Sequence, residues 1–199
     1  MAPRPYRGSC GEGWAAILGW GEGLVSELPK KLSFLDRGVG QVALVVENLE
    51  RTVEAYWHRF GIGPWHFYTY EKPLLRRMTR HGAPTEYAMR VALANLGSTR
   101  IELIEQKAGD TVYAEFIRAH GYGVQHIGLL VDDIESAIRE AEAAGYRVTM
   151  YGAGFGLDGD GAYAYLDTES ELGTTFELVQ RPKRRVEPEK IYPSPADHG

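Results

Sequence analysis

The chain has 199 residues, 44% of them hydrophobic, enough apolar material for one domain of ordinary size or two small ones. A formal charge of -5 at pH 7 removes any general electrostatic drive toward nucleic acid or an anionic membrane. A single cysteine, Cys10, excludes an internal disulfide framework and a Cys-rich zinc site.

Residues 1–37 read as an N-terminal extension rich in Gly and Pro. Its longest apolar run, Trp14 to Trp20, falls far short of the roughly 20 residues that span a bilayer. Gly-Glu-Gly flanks that run on both sides and no small-residue cleavage site follows it, so neither a membrane helix nor a secretory signal is expected. The expected location is the cytoplasm. Residues 182–199, charged and Pro-bearing, read as a C-terminal tail.

Between these ends lies a repeat. "QVALVVENLERTVEAY" from Gln41 aligns without gaps on "HIGLLVDDIESAIREA" from His126. Each copy begins with an apolar strand, passes through an acidic or amide pair (Glu47 and Asn48; Asp132 and Asp133) suited to a helix N-terminus, and continues as an amphipathic helix stopping at Gly61 or Gly145. Strand-like stretches follow: "WHFYTYE", "EYAMRVALANL" and "STRIELIEQ" in the first copy, "YRVTMYG", "GAYAYLDT" and "TTFELVQ" in the second. The predicted fold is α+β: two tandem βαβββ modules, 38–106 and 123–181, forming one domain over 38–181 with a curved, mostly antiparallel sheet. Residues 73–84, "PLLRRMTRHGAP", have no counterpart in the second copy and are expected to form a loop over the site.

Gln41 and His126 open equivalent strands, and Glu102 and Glu177 sit inside the equivalent last strands. Strand alternation puts each glutamate opposite its apolar neighbours, Ile101 and Leu103 or Phe176 and Leu178. A lone carboxylate on the inner face of a sheet is costly without a partner. Any one of the four taken singly reads more simply as a polar strand residue or a hydrogen-bonded core histidine; their symmetric placement makes a shared site the better reading. One imidazole, one amide oxygen and two carboxylates suit a five- or six-coordinate divalent ion, Zn, Ni, Co, Mn or Fe(II), with positions left for water or substrate.

These paired stretches, closed by "IELIE" and "FELVQ", resemble the vicinal oxygen chelate superfamily, which includes glyoxalase I, methylmalonyl-CoA epimerase, extradiol dioxygenases and bleomycin-resistance proteins. "FIRAHGYGVQHIGLLVDDIESA" is most similar to the epimerase-like branch, whereas a glutamine, glutamate, histidine, glutamate set is the glyoxalase I pattern. The resemblance implies a homodimer with one divalent ion per chain on Gln41, Glu102, His126 and Glu177. It also implies a small-molecule substrate and metal-assisted proton transfer through an enediolate, with Glu177 and Glu102 as base and acid. The implied activity is that of an isomerase, epimerase or lyase acting on a small organic acid, thioester or hemithioacetal. The rivals are a metal-dependent oxygenase, which the glutamine at position 41 disfavours, and a non-catalytic ligand-binding protein.

Substrate contacts are expected from Trp65 and Tyr151, chosen from two aromatic-rich strands, and from Arg76 on the unmatched loop, which with Arg77 and Arg80 would steer a carboxylate or a CoA phosphate. Glu71 is a lesser candidate base. "GFGLDG" precedes a strand rather than a helix, so it reads as a turn and not a dinucleotide site.

Overall fold

In the computed structural model, which describes residues 31–194, the repeat folds where its sequence places it. Cys10 and the Trp14–Trp20 run lie outside the described residues. The first module is β1 (Val39–Val45), α1 (Leu49–Phe60), β2 (Trp65–Tyr70), the short strands β3 (Arg77–Arg80) and β4 (Ala83–Pro84), then β5 (Ala88–Leu96) and β6 (Thr99–Ala108). A connecting helix, α2 (Val112–His120), precedes the second module: β7 (Gly123–Leu130), α3 (Ile134–Ala143), β8 (Val148–Phe155), β9 (Gly161–Leu166), α4 (Glu169–Leu172) and β10 (Thr175–Gln180). A last strand, β11 (Lys190–Tyr192), follows the second module.

The second residue of each pair ahead of the two long helices acts as the cap. The Asn48 side chain accepts a hydrogen bond from the Arg51 amide, and Asp133 accepts from the amides of Glu135 and Ser136; each satisfies donors that the first helical turn leaves open. Gly61 then ends α1 in the left-handed conformation at φ 66°, where a side chain would be strained.

The eleven strands of the described residues join in one strongly curled sheet of order β11-β2-β5-β6-β1-β7-β10-β9-β8-β3-β4. The modules meet where β1 and β7 pair antiparallel, and each of these strands is flanked by its own module's last strand, β6 or β10, in parallel. Sequence repetition thus becomes a pseudo-twofold relation about the β1/β7 seam. On the outer face, α1 covers a cluster with Leu49, Val53, Trp65, Phe67 and Leu103, while α3 covers one with Ile134, Ala141, Ala164 and Leu178. The inner face holds the third cluster, rich in tyrosine and including Tyr113 from α2.

Two segments differ from expectation. Residues 73–84 are not a free loop: β3 and β4 form a hairpin, and β3 pairs with β8 of the other module, Thr79 facing Tyr151. Its period of two, with Met78 buried inward and Arg77 outward, is hidden in the sequence by the arginines. Residues 182–194 are not a loose tail either: they cross to the far edge of the sheet, where β11 pairs with β2.

Candidate metal centre

The register of the four central strands forms the site. Across β6, β1, β7 and β10 one row reads Arg100, Gln41, Gly128, Glu177, and the next reads Glu102, Ala43, His126, Thr175. Each row carries two ligand-type side chains, and the smallest residues, Gly128 and Ala43, stand between them. A Cβ on Gly128 would lie 2.8 Å from Gln41 Cβ and 3.2 Å from Glu177 Oε2, so the absence of a side chain there is what lets the Gln41 and Glu177 side chains share the space.

All four predicted residues come together. Gln41 Nε2 donates to Glu102 Oε2 at 2.7 Å and to Glu177 Oε2 at 3.1 Å. His126 Nε2 stands 3.1 Å from Glu177 Oε2 and 3.5 Å from Glu102 Oε2. One ligating atom each from Glu102, His126 and Glu177 lies close enough to the other two for the three to share a single ion. The other imidazole nitrogen, Nδ1, is hydrogen-bonded to Gln125 Oε1 at 2.7 Å. That partner leaves Nε2 as the nitrogen aimed inward, as in ligating histidines.

The donor set fits a divalent cation. His126 Nε2 is fully buried and lacks an aligned hydrogen bond, and two carboxylates converge on it in a space from which water is largely excluded. Gln41 now offers its amide nitrogen to the carboxylates; ligation by its oxygen requires the amide to turn over about its last torsion. Burial, reinforced by the Glu177 charge, raises the pKa of Glu102. Burial opposes charge on His126, but the two carboxylates outweigh it and push the imidazole up to about 9. A proton on the imidazole thus balances part of the charge that the two carboxylates bring together.

Around it stand Tyr70, Met89, Leu93, Tyr113, Phe155, Tyr163 and Tyr165, enclosing a volume of about 30 Å³ beside the cluster. The hydroxyls of Tyr113 and Tyr165 bond at 2.6 Å, and those of Tyr87 and Tyr163 at 2.9 Å. Burial raises the pKa of Tyr113, Tyr163 and Tyr165 well above the ordinary phenol value, so these groups remain protonated. The His126 and Tyr165 rings meet edge to face at 5.0 Å.

The three expected substrate contacts lie elsewhere. Trp65 is fully buried on the outer face against Tyr56 of α1, its indole donating to the Ile62 carbonyl. Tyr151 is also outward, bonded to Arg77 and Glu135. Arg76 is exposed and packs on Gly154 and Gly159. The other loop arginines are likewise engaged, Arg77 with Glu135 and Arg80 with Glu115, and Glu71 is exposed. The aromatics that do line the cavity share a strand parity: Tyr70 is on the opposite face of β2 from Trp65, and Tyr163 and Tyr165 are on the opposite face of β9 from Ala162 and Ala164. Gln125, Tyr113, Arg100, Arg181 and Arg185 also stand at or beside the site, and the repeat does not mark them.

Residues 40–165 match the family model of the glyoxalase, bleomycin resistance protein and dioxygenase superfamily. The chain belongs to that superfamily. The match bears out the sequence resemblance and spans Gln41, Glu102 and His126; Glu177 lies beyond it and is supplied by β10. No curated protein matches by sequence. Among solved structures, the chain is similar to a Streptomyces coelicolor methylmalonyl-CoA epimerase in complex with 2-nitronate-propionyl-CoA (19% identity, TM-score 0.55, 74% of this chain and 96% of that one). It is also similar to the methylmalonyl-CoA epimerase of Mycobacterium tuberculosis (21%, 0.53, 79% and 95%) and to a hypothetical protein from Bacillus halodurans (20%, 0.52, 75% and 97%). At such identities these likenesses establish the superfamily fold.

Proposed function

We propose that this superfamily member is a metal-dependent isomerase or epimerase, or a lyase, that removes a proton next to the carbonyl of a small organic acid, thioester or hemithioacetal. The observation that carries the reading is the convergence of Glu102 and Glu177, from symmetry-related strands, on the point that His126 Nε2 also faces. Glu102, His126 and Glu177 would hold one divalent ion per chain, with Gln41 as fourth ligand. When bound, the ion supplies positive charge beside the carbonyl oxygen, which acidifies the neighbouring C–H and offsets the charge left when the proton departs.

The chain's own groups do the rest. Glu177 takes the proton from one face of the substrate carbon as the C–H electron pair moves toward the carbonyl oxygen, and Glu102, its proton affinity raised by burial, returns a proton from the other face. Gln125 keeps the His126 ring in one orientation, and the tyrosine wall limits water near the reacting carbon. The similar structures named as methylmalonyl-CoA epimerases support this reading, because epimerisation is proton removal and return at one carbon.

The test is elemental analysis of protein purified without chelator, followed by proton exchange into 2-substituted acyl-CoAs and 2-oxo hemithioacetals in deuterated water. One divalent ion per chain, with exchange lost in Glu177→Gln, supports the proposal. Protein that stays metal-free after incubation with Zn, Ni, Co, Mn and anaerobic Fe(II) overturns it.

A further inference from the structure

Three arginines border the same cavity: Arg100 on β6, and Arg181 and Arg185 in the segment that leads from β10 to β11. Among the described residues none of the three has a carboxylate within ion-pair distance, unlike Arg37, Arg77, Arg80, Arg90 and Arg184. Arg181 reaches the Gly40 carbonyl only at 3.4 Å, and its buried Nε has no partner. Among the described residues, the acidic ones lining the cavity are Glu102 and Glu177, and both are turned to Gln41 and His126 rather than to these arginines. The wall then carries unmatched positive charge, and guanidinium groups so placed are suited to forked recognition of an oxyanion.

Arg185 is held in position from both sides. Before it, Arg184 pairs with Asp158, and Pro182 packs against Gly156. After it, Val186 joins the inner cluster, Glu189 accepts from the Thr69 amide at 2.8 Å, and β11 pairs with β2. The crossing segment is thus tied to both modules with Arg185 between the ties. A second groove of about 280 Å³, lined by Pro64, His66, Tyr68 and Asn95, shares Leu93, Arg100 and Arg185 with the first cavity, so Arg100 and Arg185 stand where the two meet and Arg181 lines the first beside them.

We infer that Arg100, Arg181 and Arg185 form the receptor for an oxyanion group of the substrate, a carboxylate or a phosphate, at the junction of the enclosed site and the outer groove. The substrate is therefore an anion whose reacting carbon lies at Glu102 and Glu177 and whose remaining part runs along the groove. This inference rests on the proposed function only in taking the carboxylate pair as the reacting end.

Binding of malonate and of inorganic phosphate to the full chain, stripped of metal and held at constant ionic strength, tests it by calorimetry. One saturable site is expected, weakened at least about tenfold by Arg181→Gln and by Arg185→Gln, the loss typical of a charge-assisted contact. Arg139→Gln, exposed on α3, should bind as the wild type does. Tighter malonate assigns a carboxylate, and tighter phosphate assigns a phosphate. No binding of either, or unchanged binding in both arginine variants, overturns the inference. Should the variants fail to fold, phenylglyoxal labelling of the wild type read by mass spectrometry decides: protection of these three arginines by the tighter anion supports the receptor, and equal labelling with and without anion removes it. Because metal content is measured separately, loss of the metal reading leaves this result standing, and the reverse also holds.

Discussion

His126 Nε2 and Glu177 Oε2 stand 3.1 Å apart although their strands pair through other residues, His126 opposite Thr175 and Glu177 opposite Gly128. The contact is diagonal, and the missing side chain at Gly128 gives it room. The ring's other nitrogen is fixed by Gln125.

Gln125→Leu removes that orienting bond while keeping side-chain bulk. Metal affinity should fall about 10- to 100-fold, the usual loss when a ligand's supporting hydrogen bond is removed, and stability by about 1–3 kcal/mol because the buried Nδ1 is left without a partner. Competition titration against a chromophoric chelator reads it, and an unchanged affinity would show that Gln125 does not orient the ring.

The pH dependence of the metal-free protein has a definite sign. The His126 pKa is raised to about 9 from 6.5, so its stabilising effect is complete below pH 6.5 and disappears as pH rises through 9, a difference of about 3 kcal/mol. The raised Glu102 pKa acts in the same direction, because a carboxyl held protonated by the fold loses its favourable contribution once the unfolded group would ionise. Melting temperature of metal-free protein should therefore decline from pH 6.5 to 9, and His126→Gln should flatten the decline. Stoichiometric metal must displace the proton, so the stabilisation it confers should grow over the same window. A metal-free protein that becomes more stable toward pH 9 contradicts this account.

Gly128→Ala places a methyl group against Gln41 Cβ at 2.8 Å and Glu177 Oε2 at 3.2 Å. A cost of about 1–3 kcal/mol is expected from overpacking, together with weaker metal binding because both side chains must shift. Denaturant melts and metal content on one preparation test the two effects together; retention of both would mean that the row has slack.

Trp65→Ala separates packing from recognition. Its indole is buried on the outer face beneath α1, so the change should cost about 3–5 kcal/mol of stability while metal content per folded chain and KM for any exchange substrate stay near wild type. A raised KM with unchanged stability would return Trp65 to the substrate contacts.

Much of this arrangement was legible in the chain itself. The gapless match of Gln41 onto His126 located both modules, the residues Asn48 and Asp133 marked the helix starts, and alternation around Glu102 and Glu177 put both carboxylates on one side of their strands. These are local periodicities, and the duplicated unit implied the symmetry that joins them.

Tertiary structure decided what periodicity leaves open. A period of two separates Trp65 from Tyr70, but only the packing of α1 on the sheet determines that Trp65 is covered and Tyr70 meets the cavity. Edge pairing decided the rest: β3 joins the other module's β8, and β11 returns to β2, bringing Arg185 beside Arg100 and Arg181. Such pairings depend on which strand edges remain open once the sheet has curled, a property of the assembled sheet that no single segment of sequence carries.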